Sequence, residues 1–224
     1  MIVMGENIKV TLSSKRIQDL YDKSSYFYDY LTGHEVGAKR DALKSVRIKN
    51  GSKVLEIGFG TGKVLVELSR KYKNKGEVYG LDLSKRMADK ARKYIERRAI
   101  NHNIDVMVGD ALYLPFPDSC FDMLFSSYML DLIDTPRIPN ILLEFRRVLK
   151  KGGRLILVSM SKGSKWYNNM WLYERVYKRM PLLLGGCRPV LLRPFLEELE
   201  FRNIKSKCVF VGGLVPTEIL YVDK

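Results

Sequence analysis

The stretch Lys53-Val54-Leu55-Glu56-Ile57-Gly58-Phe59-Gly60-Thr61-Gly62 decides the architecture. Its first half, KVLEI, is a short apolar run that stops at Gly58 and reads as a buried strand. Beyond the glycines, Val64, Leu65, Leu68 and Tyr72 recur at helical spacing. A strand that passes through glycines into a helix brings bare backbone close to a ligand, because no Cβ intervenes. It also presents the unpaired amides of the helix N-terminus to that ligand. In open parallel sheets this edge, past the carboxyl ends of the strands, is where nucleotides bind. Asp82 closes the next strand 20 residues after Gly62, about where an acid grips ribose hydroxyls in such folds.

Working outward, the same alternation continues. Glu77–Leu81 reads as a second strand, and Ser84 can cap a helix with Met87, Ala91, Tyr94 and Ile95 on one face. Ile104–Val108 and Phe121–Ser126 read as the third and fourth strands. Pro136 stands near the start of a helix that turns Ile141, Leu142, Phe145, Val148 and Leu149 inward, with Gly152-Gly153 expected to end it. Arg154–Met160 is the fifth strand. Strands alternating with helices imply right-handed crossovers and a largely parallel sheet covered on both faces. The tail predicts a helix near Pro189–Leu199, then strands near Ser206–Val211 and Thr217–Val222 around Gly212-Gly213, an antiparallel hairpin at the sheet edge. Upstream, Ser13–Leu31 and His34–Val46 read as two helices. The expected fold is therefore α/β: a Rossmann-like, seven-stranded, mostly parallel sheet with an antiparallel C-terminal hairpin, helices on both faces and an N-terminal helical lid. At 224 residues the chain suits one domain. Within it, 1–49 holds the N-terminal helices, 50–160 the core around the glycine turn, 161–188 a basic aromatic insertion, and 189–224 the closing helix and strands.

The glycine spacing separates ligand classes. A dinucleotide fingerprint, G-x-G-x-x-G, would need its third glycine at position 63, which is Lys63. A P-loop needs a glycine five residues before Gly62 and Ser or Thr after the lysine, where Ile57 and Val64 stand. Composition excludes further classes. No apolar run approaches the roughly 18 residues of a membrane span. The opening MIVMGENIKV does not read as a signal peptide. Three scattered cysteines, Cys120, Cys187 and Cys208, fit a reducing cytoplasm better than a disulfide framework. The only histidines are His34 and His102, so no zinc spacing arises and no metal is expected. A net charge of +14 favours an anionic partner, whether nucleic acid, anionic lipid or acidic substrate. A Lys/Glu/Arg-rich surface with Gln18 as sole glutamine is equally the composition of a heat-adapted protein.

Several motifs stand in a fixed order: Glu56-x-Gly58-x-Gly60-x-Gly62, then Gly80-Leu81-Asp82-Leu83-Ser84, then Gly109-Asp110-Ala111. Leu114-Pro115-Phe116-Pro117-Asp118, Phe121-Asp122 and Leu149-Lys150-Lys151-Gly152-Gly153 follow. Together they resemble the class I S-adenosylmethionine-dependent methyltransferases, and most nearly the branch that includes the ubiquinone and menaquinone biosynthesis enzymes. The resemblance covers residues 20–160 well and the tail more loosely. It implies S-adenosyl-L-methionine as cofactor. It places Gly58, Gly60 and Gly62 against the methionine part, with Glu56 organising the amino group. Asp82 would hold the ribose hydroxyls, Leu83 would pack on adenine, Asp110 and Ala111 would meet the adenine edge, and Ser126 would lie near the methionine carboxylate. Tyr21-Asp22 and Tyr28-Asp29 resemble paired elements of helices that close over the cofactor. Phe59 departs from the Cys or Ala frequent in the family, a change of packing more than of chemistry.

An activated methyl group asks the protein mainly for alignment. A phenol or ring carbon as acceptor would also need a base, for which Tyr21, Tyr28, His34 and Asp131 are candidates. Ser126-Ser127-Tyr128-Met129 stands where base and amide N-methyltransferases carry Asn/Asp-Pro-Pro-Tyr/Phe, which disfavours those acceptors. Residues 161–194 hold Lys162, Lys165, Arg175, Lys178, Arg179, Arg188 and Arg193 against Glu174 alone. Trp166, Met170, Tyr173, Tyr177 and Met180 recur there at helical spacing. Such a stretch can lie on an anionic membrane, cover a lipophilic acceptor, or simply pack its apolar stripe on the protein. The acceptor expected is a small lipophilic molecule, a quinone precursor or lipid head group, with RNA or protein as the alternative.

Overall fold

A computed structural model of the chain describes residues 36–44, 46, 49–72, 76–98, 103–161, 175, 177, 179, 187–211 and 215–224. The expected helix at Ser13–Leu31, the candidates Tyr21, Tyr28 and His34, the stripe residues Trp166, Met170, Tyr173 and Met180, and the Gly212-Gly213 turn lie outside the described residues. Described elements run α1 (Val36–Lys44), β1 (Lys53–Ile57), α2 (Lys63–Tyr72), β2 (Glu77–Asp82), α3 (Lys85–Glu96), β3 (Ile104–Val108) and β4 (Phe121–Ser127). Then come two single 3-10 turns, Leu130–Leu132 and Thr135–Arg137, followed by α4 (Ile138–Val148), β5 (Leu149–Met160), α5 (Arg193–Glu198), β6 (Arg202–Val211) and β7 (Val215–Asp223).

The seven strands form one sheet in the order β3-β2-β1-β4-β5-β7-β6. The first five are parallel, and β7 pairs antiparallel with both β5 and β6. Alternation along the strands divides the core. Val54, Phe125, Ile156 and Val158 face α1, α2 and α3, whereas Leu55, Leu124, Leu155 and Leu157 face α4 and α5. The order in which strands are added reverses between β1 and β4, since β2 and β3 lie to one side of β1 and β4 and β5 to the other. That crevice is the topological switch point at which such sheets bind ligands.

Local chemistry explains most boundaries. Ser84 accepts the Met87 amide at 3.1 Å and caps α3, whose Met87, Ala88, Ala91 and Ile95 are buried. Two expected boundaries move. Helix α4 stops at Val148 rather than at Gly152-Gly153, because the fully buried Leu149 already pairs with Phe121 of β4. Gly152 instead takes a left-handed φ of 73° and donates to the Lys224 carbonyl at 3.2 Å. Helix α5 begins at Arg193, not Pro189, because Val190 donates to the Met160 carbonyl at 3.1 Å and prolongs the β5 edge. Pro194 then sits in its first turn. Strand β6 is the outer edge, and exposed Arg202, Lys205 and Lys207 guard it against pairing with another chain. Lys207 also reaches Asp41 of α1 at 2.9 Å.

Candidate functional site

The carboxyl ends of β1, β2, β3 and β4 open on the same edge, and the glycine turn occupies its centre. Gly58, Gly60 and Gly62 all adopt left-handed φ values of 74°, 56° and 78°, a conformation that costs side-chain-bearing residues energy. The turn is pinned from below: the Gly58 amide donates to the Leu81 carbonyl at 2.8 Å, and the Gly60 amide to Asp82 Oδ2 at 2.9 Å. Part of the glycine requirement is internal packing. A Cβ at Gly58 would stand 2.7 Å from Met129 Cβ, and one at Gly62 would stand 2.8 Å from Ala91 Cβ.

Glu56 carries the clearest ligand signal. It is 1% exposed, and its Oε2 has no hydrogen-bond partner among the described residues. Burial pushes its carboxyl well above the ordinary glutamate range, with the positive charge of Lys39 opposing and Asp82 and Glu67 adding repulsion. A buried acid without a donor is costly in a fold unless something else supplies one. At the end of β2, Asp82 accepts the Ser84 amide on Oδ1 at 2.9 Å and the Gly60 amide on Oδ2.

Leu83, the next residue, is 44% exposed and offers an apolar surface beside that carboxylate. The β3 exit closes against it: Gly109 donates to the Asp82 carbonyl at 3.0 Å. Asp110 accepts the Leu112 amide on Oδ1 at 3.0 Å and approaches Arg137 at 3.7 Å through Oδ2. Ala111 packs on the second core. Leu83, Asp110 and Ala111 thus stand together at the ends of β2 and β3.

Ser126 is 2% exposed and donates to the Ile57 carbonyl at 3.0 Å, tying β4 to β1 at the switch point. Asp131 is buried completely, and its carboxylate accepts Ser159 Oγ at 2.5 Å and the Met160 amide at 2.9 Å. Those two contacts hold the β4 exit against the end of β5. Sequence reading missed Tyr128. It holds φ 58°, is 6% exposed, donates its amide to Val158 at 2.7 Å and shares a hydrogen bond with Thr217 Oγ1 at 3.3 Å. Lys39 of α1 lies over its ring, 5.4 Å from the centroid, so α1 covers this end of the sheet. Strained non-glycine residues concentrate at functional sites, but no local motif marks this one.

A family description, Methyltransferase domain, matches residues 54–153, the span from β1 to the Gly152-Gly153 pair. A demethylmenaquinone methyltransferase of Anoxybacillus flavithermus is 29% identical over 153 residues, 66% of this chain and 63% of that protein. Over these residues the chain is similar to S-adenosylmethionine-dependent methyltransferases. The aligned part of the chain spans less than two thirds of that relative's length. Among solved structures, the [4+2]-cyclase SpnF superposes with a TM-score of 0.71 at 17% identity, covering 98% of this chain and 99% of that one. An S-adenosylmethionine-dependent methyltransferase from Aquifex aeolicus gives 0.62 at 21% identity, covering 95% and 99%. Both confirm the fold. The residues fit the family's cofactor: an unbonded acid for an ammonium, open backbone for the sulfonium chain, a carboxylate for a sugar and an apolar flank for a base. Among the described residues, no group of three His, Cys, Asp or Glu side chains could hold a metal.

Proposed function

We propose that this chain transfers the methyl group of S-adenosylmethionine to a small, lipophilic acceptor of the quinone-precursor or lipid-headgroup class. The observation that carries the cofactor half is the unbonded Oε2 of buried Glu56 beside the glycine turn. The acceptor half draws on the similarity to demethylmenaquinone methyltransferases. When bound, the cofactor supplies an activated methyl on a sulfonium.

The chain's own residues then bind and align. Glu56 meets the ammonium of the methionine part, Asp82 the ribose hydroxyls, Leu83 the adenine face, and Asp110 with Ala111 the adenine edge. Ser126 reaches a methionine carboxylate only by exchanging its present partner, the Ile57 carbonyl. Orientation of two reactants can be worth about 7–11 kcal/mol. With the Asp131 carboxylate engaged by Ser159 and Met160, any base comes from the N-terminal candidates Tyr21, Tyr28 or His34, or from the acceptor's own ionisation. No described helix is long and apolar enough to cross a membrane, so contact with lipid would be peripheral.

Outward-facing Arg175, Arg179, Arg202 and Lys205 favour a second reading, methylation of RNA or protein. Incubating ligand-stripped protein with methyl-labelled cofactor and fractionated cell extract separates the two. Label in the lipid-soluble fraction is the expected result, and label in RNA or protein selects the second reading. Calorimetric cofactor binding without transfer to any fraction would sink methyl transfer itself.

A further inference from the structure

Arg188 belongs by sequence to the basic stretch, yet the fold withdraws it from water: the residue is 0% exposed. Its amide donates to the Asp131 carbonyl at 3.3 Å. Its Nη2 donates to the Ile133 carbonyl at 2.5 Å and to Thr135 Oγ1 at 3.1 Å. Nε and Nη1 have no hydrogen-bond partner among the described residues. The groups nearest in charge effect are the buried Tyr177 phenol, then Asp131 and Asp134. The Asp131 oxygens accept hydrogen bonds from Ser159 and Met160. A guanidinium keeps its charge in proteins and offers only donors. Buried and half-bonded, it lacks an acceptor that the described residues do not supply.

Its position says what that acceptor serves. Ile133 and Thr135 lie on the loop leaving β4, the loop whose Met129 packs on Gly58 of the cofactor turn. Two residues on, Val190 runs beside the end of β5. Arg188 therefore stands over the carboxyl ends of β4 and β5, across the switch point from Leu83, Asp110 and Ala111. The cofactor's base and sugar occupy the β2–β3 side, which leaves the β4–β5 side to the molecule being methylated.

We infer that Arg188 is an oxyanion receptor for the methyl acceptor, which carries an ionised oxygen of the phenolate, carboxylate or phosphate type. This rests on the methyltransferase reading and narrows it. Pairing with a fixed cation favours the ionised form of a phenol, whose proton passes to water. The ionised ring is then nucleophilic without a side-chain base, in keeping with the engaged Asp131 carboxylate.

The test uses full-length protein saturated with S-adenosylhomocysteine, titrated with 4-nitrophenol, benzoate or inorganic phosphate at constant ionic strength against chloride. At least one is expected to bind and to raise the melting temperature, and which one does so assigns the oxyanion type. Bound 4-nitrophenol should show its phenolate absorbance at lower pH than the free dye. Arg188→Gln should weaken that binding at least tenfold, and Arg188→Lys should retain part of it, while S-adenosylhomocysteine affinity stays within about twofold in both. Absence of binding by all three anions to the wild-type complex overturns the inference, as does equal binding to Arg188→Gln. Should S-adenosylhomocysteine itself fail to bind the wild type, the underlying cofactor reading falls instead.

Discussion

Burial of Glu56 makes two opposite demands on one carboxylate, and both can be measured. Its proton affinity is raised in the folded chain by desolvation, against the opposing charge of Lys39. The folded state therefore holds the proton to higher pH than the unfolded chain. Stability from this residue is fully present below the ordinary glutamate pKa, near 4.3, and is lost as pH rises through the raised value. Glu56→Gln removes that loss, so the cofactor-free variant should gain melting temperature over wild type between pH 5 and pH 8, with the gain growing toward pH 8. Binding should move the other way. A charge-assisted hydrogen bond is worth about 1.5–3 kcal/mol, so calorimetry should show S-adenosylmethionine bound roughly ten- to a hundredfold more weakly by the variant. Wild-type binding should release a proton and weaken as pH falls, while the variant stays flat. A variant as tight as wild type at pH 8 would remove Glu56 from the site. Glu56, the glycines and Asp82 were legible in the sequence because their geometry is local, a strand end followed by a turn. Arg188 and Tyr128 were not, since their burial depends on the loop after β4 and the end of β5 meeting in space.

Between elements, the Gly62 position shows packing and ligand approach sharing one residue. Its φ of 78° and the 2.8 Å approach to Ala91 Cβ couple the start of α2 to the middle of α3. Gly62→Ala adds left-handed strain of about 1–2 kcal/mol and an overpacking cost of about 1–3 kcal/mol. For a chain of this size that should lower the melting temperature by roughly 5–15 °C. The double variant with Ala91→Gly should recover only part of the overpacking share, because Ala91 Cα also stands 3.2 Å from the added Cβ and glycine within a helix costs about 1 kcal/mol. No recovery would show that Ala91 is not the contact that matters. Element order and sheet class followed from the alternation of short apolar runs with amphipathic helices. The ends of α4 and α5 did not, because Gly152-Gly153 and Pro189 carry strong local signals that sheet pairing overrides. Leu149 joins β4 before the glycines are reached, and Val190 is already bonded to Met160.

Over the whole molecule, 39 Lys and Arg face 25 Asp and Glu, and the fold sorts where those cations point. In the basic stretch Arg175 and Arg179 are exposed while Tyr177 between them is completely buried, so that ring packs on the protein and these two cations face outward. Arg188 is interior, and Arg193 pairs with Glu197 at 3.4 Å. This arrangement suits adsorption to a negative surface by charge more than by insertion of rings. Each cation near an anionic bilayer contributes about 1 kcal/mol, so Arg175 and Arg179 together would favour anionic over zwitterionic vesicles by roughly thirtyfold at low salt. Screening shortens from about 10 Å at 0.1 M to about 3 Å at 1 M, so the bound protein should be released as salt rises. Cosedimentation with both vesicle types across a salt series checks this, with tRNA in parallel. Equal recovery on both vesicle types would end the membrane proposal. RNA binding whose logarithm falls steeply with the logarithm of salt would move the acceptor from lipid to nucleic acid. Weak binding to both, with a high melting temperature, would leave the charge as thermal adaptation of the surface.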